Sequence, residues 1–137
     1  MDVRIYTDGG SRGNPGPSAS AAVLKSLKDG SEGEVIATAS AYLGTTTNNQ
    51  AEYTAIVLGL KKAAELGAKH VEVFMDSELA SRQLNGEYRV KDAEIAKRFM
   101  EIYRLRGQFT RVRFKHVRRH MNKEADALVN KVLDAHT

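Results

Sequence analysis

Four acidic residues stand where chemistry is easiest to build: Asp8 in TDGGSRGNPG, Glu52 in NNQAEY, Asp76 in FMDSELA and Asp126 in NKEADALVN. Asp8 closes a segment patterned as strand, Glu52 falls in the first turns of a helix, Asp76 ends another strand and Asp126 begins the last helix. Each also has an ordinary explanation. Asn49 and Glu52 are spaced like a capping box, Asp76 or Ser77 could cap a short helix, and Asp126 suits the positive end of a helix dipole. Taken together they imply more. Four carboxylates from four elements, gathered on one patch, are electrostatically untenable without cations, and an all-oxygen donor set suits Mg²⁺ or Mn²⁺. Two such ions are suited to in-line attack of water on a phosphodiester.

The glycines after Asp8 call for a separate reading. TDGGSRGNPG has neither the Lys-Ser/Thr ending of a phosphate-cradling P-loop nor G-x-G-x-x-G spacing, so a nucleotide loop is a weak reading. We expect a strand that closes at Asp8, then a Gly-rich turn whose small residues let a nucleic-acid strand approach the carboxylate.

The elements that must position these residues can be read from periodicity. Val3, Ile5 and Thr7 alternate with Arg4, Tyr6 and Asp8 as in a strand. Segments 18–27 and 34–43 read as two more strands joined by a hairpin turn at 29–33. Residues 48–67 read as an amphipathic helix stopped by Gly67, and 70–76 as a buried, parallel strand. A short helix at 77–86, a longer one at 92–107 with Asp92 as its cap, a fifth strand at 109–117 and a last helix at 122–135 complete the chain. The order βββ-α-β-α-α-β-α implies an α/β fold, a five-stranded mixed sheet flanked by helices, in a single domain spanning 1–137.

Composition narrows the setting. A chain of 137 residues with 42% hydrophobic residues suits one domain with its own core, and the lack of cysteine excludes disulfides and thiolate zinc sites. No apolar run approaches membrane-spanning length and the first residues already read as strand, so a cytoplasmic protein with no membrane partner is expected. Residues 1–80 hold seven Lys/Arg against ten Asp/Glu, whereas 81–137 hold fourteen against seven. That asymmetry suits a polyanionic partner bound by one part while carboxylates work in another, although a solvated surface explains it equally well.

With the motifs YTDGGSRGNPG, TTNNQAEY, FMDSELA and NKEADALVN in the same order along the whole chain, the sequence resembles the type 1 ribonucleases H. The resemblance implies a ribonuclease H-like fold and endonucleolytic cleavage of the RNA strand of RNA–DNA hybrids with two Mg²⁺ or Mn²⁺ ions per site, leaving 5′-phosphate and 3′-hydroxyl ends. By motif position, Asp8 would bridge both ions, Asp126 would complete the site that activates water, and Glu52 and Asp76 would hold the ion at the departing oxygen. Gly10, Ser11, Asn14, Asn48 and Asn49 would line the minor groove, where a 2′-hydroxyl marks RNA. Thr47 would hold a phosphate of the DNA strand. Ordinary turn and cap chemistry is the alternative for all six. A monomer is expected.

Departures from the family pattern matter too. Glu78 stands where many relatives carry an amide, where it could weaken groove contacts, alter metal preference or simply face solvent. No Trp- and Lys-rich protrusion follows residue 84, so substrate binding would lean on Arg89, Lys91 and the basic stretch 104–119. Within that stretch Arg111, Arg113 and Lys115 share one strand face; we read them first as charges guarding an edge strand and second as phosphate contacts. A histidine that assists the chemistry in relatives has two candidates, since His116 shares the face of Val112 and Phe114 and is expected in the core. These are His120, in the loop before Asp126, and Arg119, which takes that place in short-loop relatives. Two rivals stay open: a related metal nuclease acting on double-stranded RNA or junctions, and a catalytically silent hybrid-binding module.

Overall fold

The alternation at the start of the chain forms strand β1 (Asp2–Ser11), which in this computed structural model, described over residues 1–136, runs past the glycines instead of ending at Asp8. Gly9, Gly10 and Ser11 stay in register with Ser20, Ala19 and Ser18 of strand β2 (Gly16–Lys28). The expected Gly-rich turn therefore begins only after Ser11. Cross-strand pairing supplies this extension, and it acts between residues distant in sequence. Strand β3 (Ser31–Thr46) follows a two-residue hairpin, in which Asp29 and Gly30 both take positive φ, 52° and 79°.

Helix α1 (Asn48–Glu65), strand β4 (His70–Met75), helices α2 (Glu78–Leu84) and α3 (Ala93–Arg106), strand β5 (Arg111–His116) and helix α4 (Lys123–Ala135) complete the expected order. The strands lie in the order β3-β2-β1-β4-β5. β1 pairs antiparallel with β2 and parallel with β4, and β5 is parallel to β4.

Side-chain alternation divides the core into two layers. Val3, Ile5, Leu24, Val71, Val73 and Phe114 turn to one face, where Tyr53, Ile56 and Leu60 of α1 and Ile95, Ile102 and Leu105 of α3 cover them. Tyr6, Val23 and Phe74 turn to the other, against Ala125 of α4, and Ala19 and Ala21 pack on Val129 and Leu133. β5 is an edge strand, and Arg111, Arg113 and Lys115 are exposed while Val112 and Phe114 are buried. His116 departs from expectation: it is exposed at the end of the strand, where it borders an open cleft with Ser81, Arg82 and Asn85 of the α2 region. Among the described residues, no helix is long and apolar enough to cross a membrane.

Candidate active site

Glu52 reaches the site because α1 starts close against β1. The helix is capped by Thr47, whose Oγ1 accepts from the Gln50 N–H at 3.2 Å. Asn49 is therefore not the cap, and Glu52 is not spent on a capping box. Gly9 permits the approach: a Cβ at that position would lie 2.2 Å from the Ala51 carbonyl carbon and 2.4 Å from the Glu52 nitrogen. The glycine makes room for the helix, and it also lines the cavity beside Asp8. Ser20 Oγ then fastens the helix to β2 by donating to the Ala51 carbonyl at 2.6 Å in a buried bond.

Asp76 follows the last residue of β4. The cap of α2 is Ser77, which accepts from the Ala80 N–H at 3.1 Å. Asp76 is again left without a capping task, and the Ser77 hydroxyl also bonds the Glu52 carboxylate. Asp126 lies in the first turn of α4, above the face of the sheet to which Asp8 points.

All four carboxylates line one cavity of about 280 Å³, together with Gly10, Ser11, Asn48, Arg119 and Asn130. Burial, with Asp76, Asp126 and Glu52 close by, raises the Asp8 carboxyl to about 8. Burial also raises Glu52, and Asp76 adds to it, while the bond from Ser77 and the Arg119 guanidinium pull the other way. Two buried acids, Asp8 and Glu52, pushed toward protonation among further carboxylates mark a site that a cation would stabilise.

The donor set fits a hard divalent cation in kind: four carboxylates, all oxygen, around a polar cavity. The acids surround the cavity without converging on a point, and among the described residues no three His, Asp or Glu side chains are gathered tightly enough to grip an ion as they stand.

The remaining candidates divide. Asn48 Oδ1 accepts from the Ser11 N–H at 2.8 Å, and the Asn48 N–H donates to Asn14 Oδ1 at 3.1 Å, so these three residues brace one another at the rim. The Ser11 hydroxyl donates to the Gly13 carbonyl and is occupied within its own loop. Asn49 faces a different cavity, shared with Gln83, Tyr88, Arg89 and Lys91, with its Oδ1 buried and unpartnered. Arg119 and His120 are both exposed in the 3₁₀ turn Arg119–Met121, but Arg119 lines the carboxylate cavity and His120 does not. Glu78 opens α2, is exposed, and pairs with Arg82 at 3.1 Å, so it faces solvent.

Sequence reasoning passed over Asn122 and Thr7. Asn122 Nδ2 donates to the Thr7 carbonyl at 2.8 Å, and Thr7 Oγ1 donates to the Phe74 carbonyl at 3.0 Å. Both bonds are buried, and they join the elements that carry Asp126, Asp8 and Asp76.

A family profile described as reverse transcriptase-like matches residues 6–132. The bifunctional protein Rv2228c of Mycobacterium tuberculosis is 39% identical over 135 residues, which is 98% of this chain and 36% of that protein. The chain thus spans about a third of the length of its mycobacterial relatives. The crystal structure of RNase H1 from Halobacterium salinarum superposes with a TM-score of 0.92 at 38% identity, covering 98% of this chain and 99% of that one. LC11-RNase H1, solved in complex with an RNA/DNA hybrid, superposes with a TM-score of 0.89 at 38% identity over 97% of each chain.

Proposed function

We propose for this chain, which belongs to the type 1 ribonuclease H family, metal-dependent hydrolysis of the RNA strand of RNA–DNA hybrids. One observation carries the reading. Asp8, Glu52, Asp76 and Asp126, drawn from four elements, surround a single cavity in which Asp8 is raised to about 8 by burial and by its acidic neighbours. A surface meant only to hold a polyanion gains nothing from such a concentration of negative charge.

Asp8 would be shared by two Mg²⁺ or Mn²⁺ ions, with Asp126 completing one set of ligands and Glu52 with Asp76 the other. When bound, the ions supply the Lewis acidity for in-line attack of water on a phosphodiester, with 5′-phosphate and 3′-hydroxyl products. The chain's own contribution is placement. Ser77 orients Glu52 by hydrogen bonding, and Arg119 brings a fixed cation to the same cavity, where it can meet a phosphate oxygen. Asn48, with its oxygen committed to the Ser11 N–H, would offer its amide donors to a ribose 2′-hydroxyl in the groove. The rest of the reading is a cytoplasmic enzyme acting as a monomer.

Cleavage of an end-labelled RNA–DNA hybrid across Mg²⁺ and Mn²⁺ concentrations tests this, beside double-stranded RNA, double-stranded DNA and the Asp8→Asn protein. We expect metal-dependent cuts confined to the RNA strand of the hybrid and lost in Asp8→Asn. Intact hybrid under every condition would leave a binding module, and preferential cutting of double-stranded RNA would reassign the substrate.

A further inference from the structure

Asn122 occupies the residue before α4, where a side chain of its type ordinarily accepts a bond from the first helical turn. It makes no such cap. Its Nδ2 instead crosses to the Thr7 carbonyl at 2.8 Å. The residue is 1% exposed, and its Oδ1 is buried without a partner. An uncapped helix start and an unpaired buried oxygen both cost stability, and a better-satisfied residue would serve the helix alone.

We propose that Asn122 is a positioning residue that fixes the spacing between Asp8 and Asp126, and thereby how readily the pair receives a divalent cation. The connections are short on both sides. Thr7 is covalently joined to Asp8, and the Asn122 carbonyl accepts the Asp126 N–H at 3.0 Å. One buried side chain therefore links the strand residue before Asp8 to the start of the helix that carries Asp126. Through its hydroxyl, Thr7 carries the same connection to Phe74, two residues before Asp76. Without the amide, α4 would still be held by Ala125, Val129 and Leu133 on the sheet and by the Lys25–Glu124 and Arg12–Asp134 ion pairs. Apolar packing is non-directional and partly exposed ion pairs are weak, so neither sets a position as closely as a buried hydrogen bond. That bond acts at the end of the helix where Asp126 sits. This inference rests on the metal-dependent reading above.

The test uses Asn122→Ala and Asn122→Asp, the second of nearly unchanged size but presenting oxygen to the Thr7 carbonyl. Leu105→Ala, a core truncation among the α3 residues on the opposite face of the sheet, controls for general loss of stability. Melting temperatures are taken in EDTA and in Mn²⁺, and hybrid cleavage is followed against Mn²⁺ well below every melting point. For both Asn122 variants we expect less than about half of the wild-type Mn²⁺-induced rise in melting temperature, and about tenfold more Mn²⁺ for half-maximal activity, with the hybrid KM within about twofold. Leu105→Ala should match wild type in all three. Should Asn122→Ala fail to fold, Asn122→Ser, whose hydroxyl is too short to reach Thr7, takes its place. Asn122 variants indistinguishable from Leu105→Ala would overturn the inference alone. Wild type that neither gains stability from Mn²⁺ nor cuts the hybrid would overturn the functional reading, and this inference with it.

Discussion

Gly9 and Ala51 meet backbone to backbone, so closely that a single methyl group on Gly9 would lie 2.2 Å from the Ala51 carbonyl carbon. Glu52 is the next residue, and its position at the cavity depends on that contact. Since neither backbone can step aside, Gly9→Ala must lift the start of α1 from β1. We expect a loss of about 3 kcal/mol in stability from overpacking and about 100-fold in kcat from displacement of Glu52. Urea unfolding and hybrid cleavage measure the two, and a variant normal in both would remove Gly9 from the account.

Asp8 makes stability depend on pH in a direction opposite to that of most carboxylates. Its folded value, about 8, lies above the ordinary 3.8, so the folded protein takes up a proton that the unfolded chain releases. Metal-free protein should therefore lose stability as pH rises from about 4 to about 8, by an amount on the order of 2 kcal/mol in a coupled site. Asp8→Asn should flatten that slope and be the more stable form at pH 8. Thermal unfolding in EDTA across pH gives the comparison; parallel slopes for the two proteins would refute it.

Arg119 and His120 are neighbours with different prospects. Arg119 lines the cavity and lowers the proton affinity of Glu52, whereas His120 faces solvent. We expect Arg119→Ala to reduce kcat/KM by about 30-fold, in the range of a lost charge-assisted contact, about 2 kcal/mol. His120→Ala should retain at least half of wild-type activity. The reverse ranking in a cleavage assay would restore the histidine.

Asn48 and Asn49 are adjacent in sequence but face different cavities. Asn48→Ala frees the Ser11 N–H and removes donors from the rim, so the hybrid KM should rise about tenfold, worth about 1.4 kcal/mol, with a smaller change in kcat. Asn49→Ala, which loses an amide oxygen already without a partner, should cost no stability. Steady-state kinetics and thermal melts check both, and equal KM values for Asn48→Ala and wild type would remove Asn48 from the groove.

The four carboxylates were legible in the sequence because strand ends and helix starts are marked locally, by periodicity and by turn residues. The competing cap assignments could not be dismissed there. Thr47 and Ser77 hold those caps, and only coordinates show which hydroxyl accepts which N–H. The length of β1 was hidden for a different reason: two glycines after an acid look like a turn, and only pairing with β2 overrules them. His116 was misplaced by extending a sound alternation to the last residue of the strand, which borders an open cleft beside α2. Asn122 went unnoticed because its partner, Thr7, lies 115 positions away.

Among the described residues, α4 is the helix that packs on Tyr6, Val23 and Phe74, and it brings Asp126 from the far end of the sequence. A chain lacking α4 would keep the layer that α1 and α3 build on the sheet, yet one wall of the cavity would stand open with three of its four acids left.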